Sequence, residues 1–144
     1  MNFLTIQLNI EGESSLMILL HSDGTINRIG NGTMEIDKNF YIGMTDTAPI
    51  LDQLSKLMDD DFKQYINHVY DLPEKSGKNC FVEIVMGIDS QTQGMKFMYG
   101  SESMGPPRPV SSFVMKAVEL TDPWFKQQQK QAKKANKKWW EFWK

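Results

Sequence analysis

The N-terminal part of the chain alternates apolar and polar side chains with the period of two that is typical of β-strands. Residues 4–10, "LTIQLNI", alternate without a break and predict a strand with one buried face. The continuous apolar run from Ser15 to His21 predicts a central strand, and the two segments together predict a hairpin. Alternation returns at Phe40, Ile42 and Met44. We therefore expect three or four antiparallel strands first.

Further along the chain the apolar residues are spaced by three and four, which is typical of an amphipathic helix. These apolar positions are Ile50, Leu51, Leu54, Leu57, Met58, Phe62, Tyr65, Ile66 and Val69. The spacing predicts either one long helix over residues 48–70 or two helices broken at Asp59, Asp60 and Asp61. In the second alternative, one aspartate caps a helix from Phe62 to Tyr70.

A second hairpin is predicted from Cys80 to Tyr99, with its turn in "DSQTQG". The segment "GSESMGPPRP" follows and predicts a linker, because proline and glycine do not sustain a helix or a central strand. A short helix capped by Ser111 or Ser112 is expected next. This order predicts a single α+β domain, an antiparallel sheet of about five to six strands with helices packed on one face.

The C-terminal segment, residues 122–144, is predicted to be a separate basic amphipathic helix. Thr121, Asp122 and Pro123 match a helix start, with a capping residue before a proline in the first turn. On a helical wheel one side is apolar and holds Trp124, Phe125, Ala132, Ala135, Trp139, Phe142 and Trp143. The opposite side holds the seven lysines of the segment. We therefore divide the chain into an α+β domain, residues 1–121, and this helix, packed on the same domain.

Three interpretations of this helix remain open in the sequence. Its aromatic side packs on the domain, or the helix lies in a membrane interface, where tryptophan is favoured and lysines meet anionic headgroups. In the third interpretation, lysines contact phosphates and tryptophans stack on the bases of a single-stranded nucleic acid. The residues expected to make membrane or nucleic-acid contacts are Lys133, Lys134, Lys137, Lys138 and Trp140.

The net charge of −2 is distributed unevenly along the chain. Residues 1–125 hold nine lysines and arginines against seventeen aspartates and glutamates, a net charge of −8, whereas residues 126–144 hold seven lysines and one glutamate, +6. Asp59, Asp60 and Asp61 form the densest acidic run, and we predict that they bind a partner protein with a basic surface.

The residues that could carry chemistry are few and scattered. His21 and His68 have no partner at metal-ligand spacing, and no cofactor or metal is predicted. Cys80 is the only cysteine, and beside an apolar strand it is expected to be a buried structural thiol, although a nucleophile activated by one of the histidines is the alternative. Arg28 and Arg108, the only arginines, are expected in polar loops.

These observations favour a non-enzymatic protein-binding domain, in its most concrete form a stoichiometric inhibitor or immunity-type protein acting through an acidic surface. The alternative is a peripheral membrane or nucleic-acid-associated adaptor that uses the C-terminal helix, and an enzyme using Cys80 comes third. A single cysteine, ten methionines and the lack of a signal-peptide pattern favour the cytoplasm. The sequence leaves the oligomeric state open.

Overall fold

The structure, a computed structural model, describes residues 1–32, 39–72 and 76–142, and side chains among them as far as residue 135. It contains seven strands and three helices in these residues. The strands are β1 (Phe3–Ile10), β2 (Glu13–His21), β3 (Thr25–Gly30), β4 (Phe40–Met44), β5 (Val69–Asp71), β6 (Asn79–Ile88) and β7 (Gln91–Gly100). The helices are α1 (Ala48–Lys56), α2 (Asp60–Lys63) and α3 (Arg108–Phe142).

The strands form one sheet in the order β4-β3-β2-β1-β6-β7-β5. All neighbours pair antiparallel except β5, which pairs parallel with β7. The predicted hairpins β1-β2 and β6-β7 are confirmed, and β2 lies inside the sheet as expected. The sheet has more strands than predicted because the polar segment at residues 25–30 and the short segment at residues 69–71 both join it.

The core lies between the sheet and the helices, all on one face of the sheet. It is built from inward-facing strand positions and the apolar sides of the helices, among them Leu4, Ile6, Ile18, Leu20, Ile84, Met86, Leu54, Phe62, Phe113 and Ala117. Phe62 of α2 and Phe113 of α3 meet with ring centroids 4.6 Å apart. The predicted α+β class, a mostly antiparallel sheet with a long C-terminal helix, is confirmed.

The helical segment after β4 breaks at the aspartates, as the second alternative predicts. The side chain of Asp59 caps α2, accepting a hydrogen bond of 3.0 Å from the backbone N–H of Phe62. The prediction that this helix continues to Tyr70 is wrong, since α2 ends at Lys63 and Val69–Asp71 is a strand. Asn67, beyond the end of α2, takes a left-handed conformation with φ of 64°, and its backbone N–H donates to the carbonyl of Gly94 in β7.

The C-terminal helix boundaries also differ from the prediction. α3 begins at Arg108 instead of Ser111 or Ser112, and it continues through Pro123, so the predicted start of a separate helix at Thr121 is wrong. The hydroxyl of Ser111 donates backward to the carbonyl of Pro106 and does not cap the helix. We attribute the continuity of α3 through Pro123 to the contacts of Thr121 and Asp122 with Arg28.

Candidate binding surfaces

Arg28 is the buried anchor of α3, although the sequence places it in a polar loop. It lies in β3 on the helix-facing side of the sheet and its side chain is fully buried. The guanidinium donates from Nη1 to the hydroxyl of Thr121 at 2.9 Å and pairs with Asp122 at 2.8 Å. Nε donates to the carbonyl of Gly30 at 3.0 Å. The residues that resembled a helix cap are therefore the partners of a buried cation.

Burial of Arg28 has an electrostatic cost that the surrounding groups partly offset. Loss of water around the guanidinium lowers the pKa of Arg28, and Asp122 opposes this effect. The guanidinium also lies over the ring of Phe125, 4.3 Å from its centroid. Nη2 is buried and has no hydrogen-bond partner among the described residues. A charge held this way fixes the position of α3 on β3.

α3 crosses the sheet toward the β4 edge. Its first half contacts α2 through Phe113, its middle contacts β3 through Arg28, and Phe125 then contacts Tyr41 of β4, with ring centroids 5.5 Å apart. Trp124 covers Gly43, where an added Cβ would lie 2.8 Å from the indole ring. The last two of these contacts are with neighbouring strands, β3 and then β4, and β4 is the edge strand of the described sheet.

Beyond Phe125 the helix leaves the core. No described side chain from residue 126 to residue 135 is buried. The helical backbone continues to Phe142, which places about 25 Å of helix after Phe125. Lys133 and Lys134 are exposed, whereas the side chains of Lys137, Lys138, Trp139, Trp140, Phe142 and Trp143 lie outside the described residues. We call residues 126–144 the tail.

The face of the sheet opposite the helices carries an apolar cluster at the β4 edge, which we call the open-face patch. Its members on β2, β3 and β4 are Met17, Leu19, Ile29, Phe40, Ile42 and Met44. Strand register aligns Met17, Ile29 and Phe40 in one row, and Asn27 lies between Leu19 and Ile42 in the next. Phe40 is 47% exposed, and Ile42 and Met44 are both 65% exposed. The strand predicted from these three residues is confirmed, but Tyr41 and Gly43 take the positions that face the core.

The aspartates at the α1-α2 junction form an exposed acidic turn, defined as Asp59, Asp60 and Asp61. No ion pair joins these carboxylates to a cation in the described part of the chain. The buried ring of Phe62 and the cap at Asp59 hold the turn in place. It lies beside the first half of α3, because Phe62 contacts Phe113.

An open cleft of about 460 Å³ lies between α3 and the ends of β1 and β2. Its wall is mostly aliphatic, and both carboxylates in it already bind cations. Asp122 pairs with Arg28, and Glu119 pairs with Lys116 at 3.4 Å. Neither carboxylate is therefore available to a ligand, and we assign the cleft none.

Cys80 is a buried thiol in β6 beside Tyr99 of β7. Burial raises the pKa of the Cys80 thiol, and the carboxylate of Glu11 adds to this effect. A raised pKa keeps the thiol protonated at neutral pH and disfavours nucleophilic attack. The Nδ1 of His21 accepts a hydrogen bond of 3.1 Å from the backbone N–H of Asp23, while the ring of His68 lies tilted against Tyr70, with centroids 5.8 Å apart. The structure therefore brings neither histidine to the cysteine.

Burial also raises the pKa of Tyr99 to about 12, above its ordinary value near 10. The folded state therefore retains this proton at a pH where the unfolded state has lost it. We expect the free energy of unfolding to be unaffected below about pH 10 and to fall as the pH rises from there toward 12. Urea unfolding of the wild type and of Tyr99→Phe at several alkaline pH values measures this effect. An identical alkaline slope in both proteins would contradict it.

Comparison of the chain with protein-family models, with curated proteins and with solved structures finds no match. Within the described residues, no group of three or more histidine, cysteine, aspartate or glutamate side chains is arranged to hold a metal ion. None of the helices, as far as they are described, has the length and apolar composition required to cross a bilayer.

Proposed function

We propose that the chain is a non-enzymatic protein-binding domain that binds a basic protein partner through its acidic turn. The observation that supports this most is the arrangement of Asp59, Asp60 and Asp61, three exposed carboxylates on a rigid turn with no ion pair to a described cation. A stoichiometric inhibitor or immunity-type protein is the most concrete form, since such a surface is complementary to a basic active cleft.

The charge balance of the domain supports the same proposal. Residues 1–125 carry −8, and the compensating lysines follow Phe125, whereas the acidic turn lies beside the first half of α3. The acidic turn is therefore not neutralised by the described part of the tail. A net negative surface increases the rate of encounter with a basic protein, and this effect decreases as salt screens it. The cytoplasm, where Cys80 stays reduced, is the proposed location.

Neutralising the acidic turn is expected to slow association with the partner by about tenfold at low salt, with a smaller effect at physiological salt. The test variant carries Asp59→Asn, Asp60→Asn and Asp61→Asn, and it folds normally because asparagine also caps helices. The matched control removes three exposed carboxylates elsewhere, Glu13→Gln, Asp89→Asn and Glu102→Gln.

The measurement has two steps. The wild type, immobilised, captures its partner from the source lysate, and the association rate of the purified partner is then measured for all three proteins at two salt concentrations. An equal loss of rate in test and control variants would mean that net charge alone steers binding. An unchanged rate in the test variant would remove the acidic turn from the interface.

A second candidate function follows from the exposure of the tail. No described residue from 126 to 135 is buried, and five lysines with exposed or undescribed side chains lie between Lys126 and Lys137. A basic helix of this kind suits a peripheral adaptor that binds anionic lipid headgroups or a single-stranded nucleic acid. The net charge of −8 on residues 1–125 opposes both polyanions and makes this the weaker proposal.

A further inference from the structure

The open-face patch, which no described element covers, lies at the edge of the sheet where the tail leaves the core. The open-face patch ends on β4, and α3 crosses β4 on the other face of the sheet through Trp124 and Phe125. By helical periodicity the apolar side of α3 continues past this edge through Ala132, Ala135, Trp139 and Phe142. Soluble proteins seldom leave apolar surfaces of this size in water, so a partner is required for each.

We propose that two copies of this chain form a symmetric dimer in which the tail of each copy packs on the open-face patch of the other. A two-fold axis in the plane of the sheet, alongside β4, turns the second copy over. Its open face then lies on the side from which the tail of the first copy leaves the sheet. The same operation places the second tail on the first copy. The interface therefore closes with each surface used once, as two-fold symmetry demands.

The length of the tail and the area of its aromatic side suit this arrangement. The 17 helical residues after Phe125 extend about 25 Å, whereas the three strands of the patch span only about 10 Å. Three tail aromatics bury about 150 to 250 Å² each when covered, and symmetry doubles their number. The buried area is then on the order of 1,000 Å² before the patch itself is counted, within the range of stable dimers.

Charge complementarity favours a second copy over a neutral partner. Each tail carries +6 and each body, residues 1–125, carries −8, so the exchange places opposite charges together. The patch itself contains no charged side chain, so the lysines of the tail need not lose their water when apolar side chains meet there. The acidic turn, beside the first half of α3, belongs to neither the tail nor the patch and stays accessible in this dimer.

Substitutions on the open face test the proposal in the full-length chain. We expect the wild type to have twice the chain mass by light scattering, and Ile42→Asp to raise the dissociation constant of the dimer by about tenfold or more. The control is Val69→Asp, which changes an aliphatic residue of similar exposure, 69%, on the opposite edge strand. It should remain a dimer, whereas Trp139→Ser should weaken association as Ile42→Asp does.

Disulfide trapping tests which copy the tail contacts. In a Cys80→Ala background, one protein carries Ala132→Cys on the apolar side of the tail and another carries Ile42→Cys in the patch. Mixing them under mild oxidation should give a cross-linked pair of twice the chain mass. A control with Lys133→Cys, on the lysine side of the helix, should cross-link more slowly.

Three outcomes would overturn the proposal. The first is that the wild type has the mass of one chain at high concentration. The second is that dimers form but Ile42→Asp and Val69→Asp have the same effect on the dissociation constant. In the third, a single chain carrying both cysteines closes within itself at high dilution, which would mean that the tail folds onto its own open face. A monomer that sediments with phosphatidylserine vesicles would instead support the peripheral adaptor. None of these results depends on the acidic turn, so the proposed function is tested separately.

Discussion

Arg28→Ala is expected to lower the free energy of unfolding by about 3–5 kcal/mol, because it breaks a buried ion pair and leaves an unfilled space under α3. The substitution removes the hydrogen bonds to Thr121 and Gly30 and the contact with Phe125. Urea unfolding followed by circular dichroism measures the change. Arg108→Ala changes the other arginine, which is exposed, and should have an effect below about 0.5 kcal/mol.

Two further variants distinguish charge from packing at this position. Arg28→Met keeps most of the volume without the buried cation, and Asp122, which is 33% exposed, regains water. This variant should therefore lose less stability than Arg28→Ala. Arg28→Lys keeps the charge but not the planar fork that reaches Thr121 and Asp122 together, so it should be clearly destabilised. If Arg28→Ala is as stable as the wild type, the guanidinium does not anchor α3.

Phe113→Ala is expected to destabilise the protein by a similar amount, about 3–5 kcal/mol. The ring of Phe113 is fully buried and packs on Phe62, so alanine leaves a cavity at the point where α2, α3 and the sheet meet. The side chains around the cavity then lose packing contacts, because protein interiors are close-packed. Phe113→Leu, which fills more of the space, should lose less.

A residue on the same helix provides the control for this prediction. Met115 is 71% exposed, and Met115→Ala removes an unbranched side chain that contributes little to the core. Its effect should stay below about 0.5 kcal/mol in the same urea unfolding experiment. Equal losses for Phe113→Ala and Met115→Ala would mean that the first half of α3 does not pack as described.

Much of the sheet follows from local pattern. The hairpins β1-β2 and β6-β7 are predictable because buried apolar residues recur at every second position, as at Leu4 and Ile6 of β1 and at Met95 and Phe97 of β7. Their inward apolar residues specify both the strand and its buried face. In β4 the same pattern predicts the strand but not its orientation, since Phe40, Ile42 and Met44 lie on the open face. The contacts that decide the orientation of β4 come from Trp124 and Phe125, about eighty residues later in the chain.

The sequence does not predict that Arg28 anchors α3, again because the deciding contact is distant in the chain. Arg28 alternates with Ile26 and Gly30 and shares their buried side of β3, so the period-two pattern marks an inward position. A charged residue there argues against burial unless its partner is known, and that partner, Asp122, follows more than ninety residues later. The cap-like sequence of Thr121 to Pro123 then predicts a helix start, although both polar side chains bind Arg28.

The sequence by itself determined the fold class, the two long hairpins, the acidic turn and the amphipathic character of the C-terminal helix. These features depend on residues that are neighbours in the chain, and periodicity, capping and charge are local properties. Only the tertiary structure decided that α3 is one helix from Arg108, that β4 turns its apolar side chains away from the core, and that Arg28 lies beneath the helix. Each of those features depends on which distant side chain desolvates a surface, and the free energy of that contact outweighs local preference.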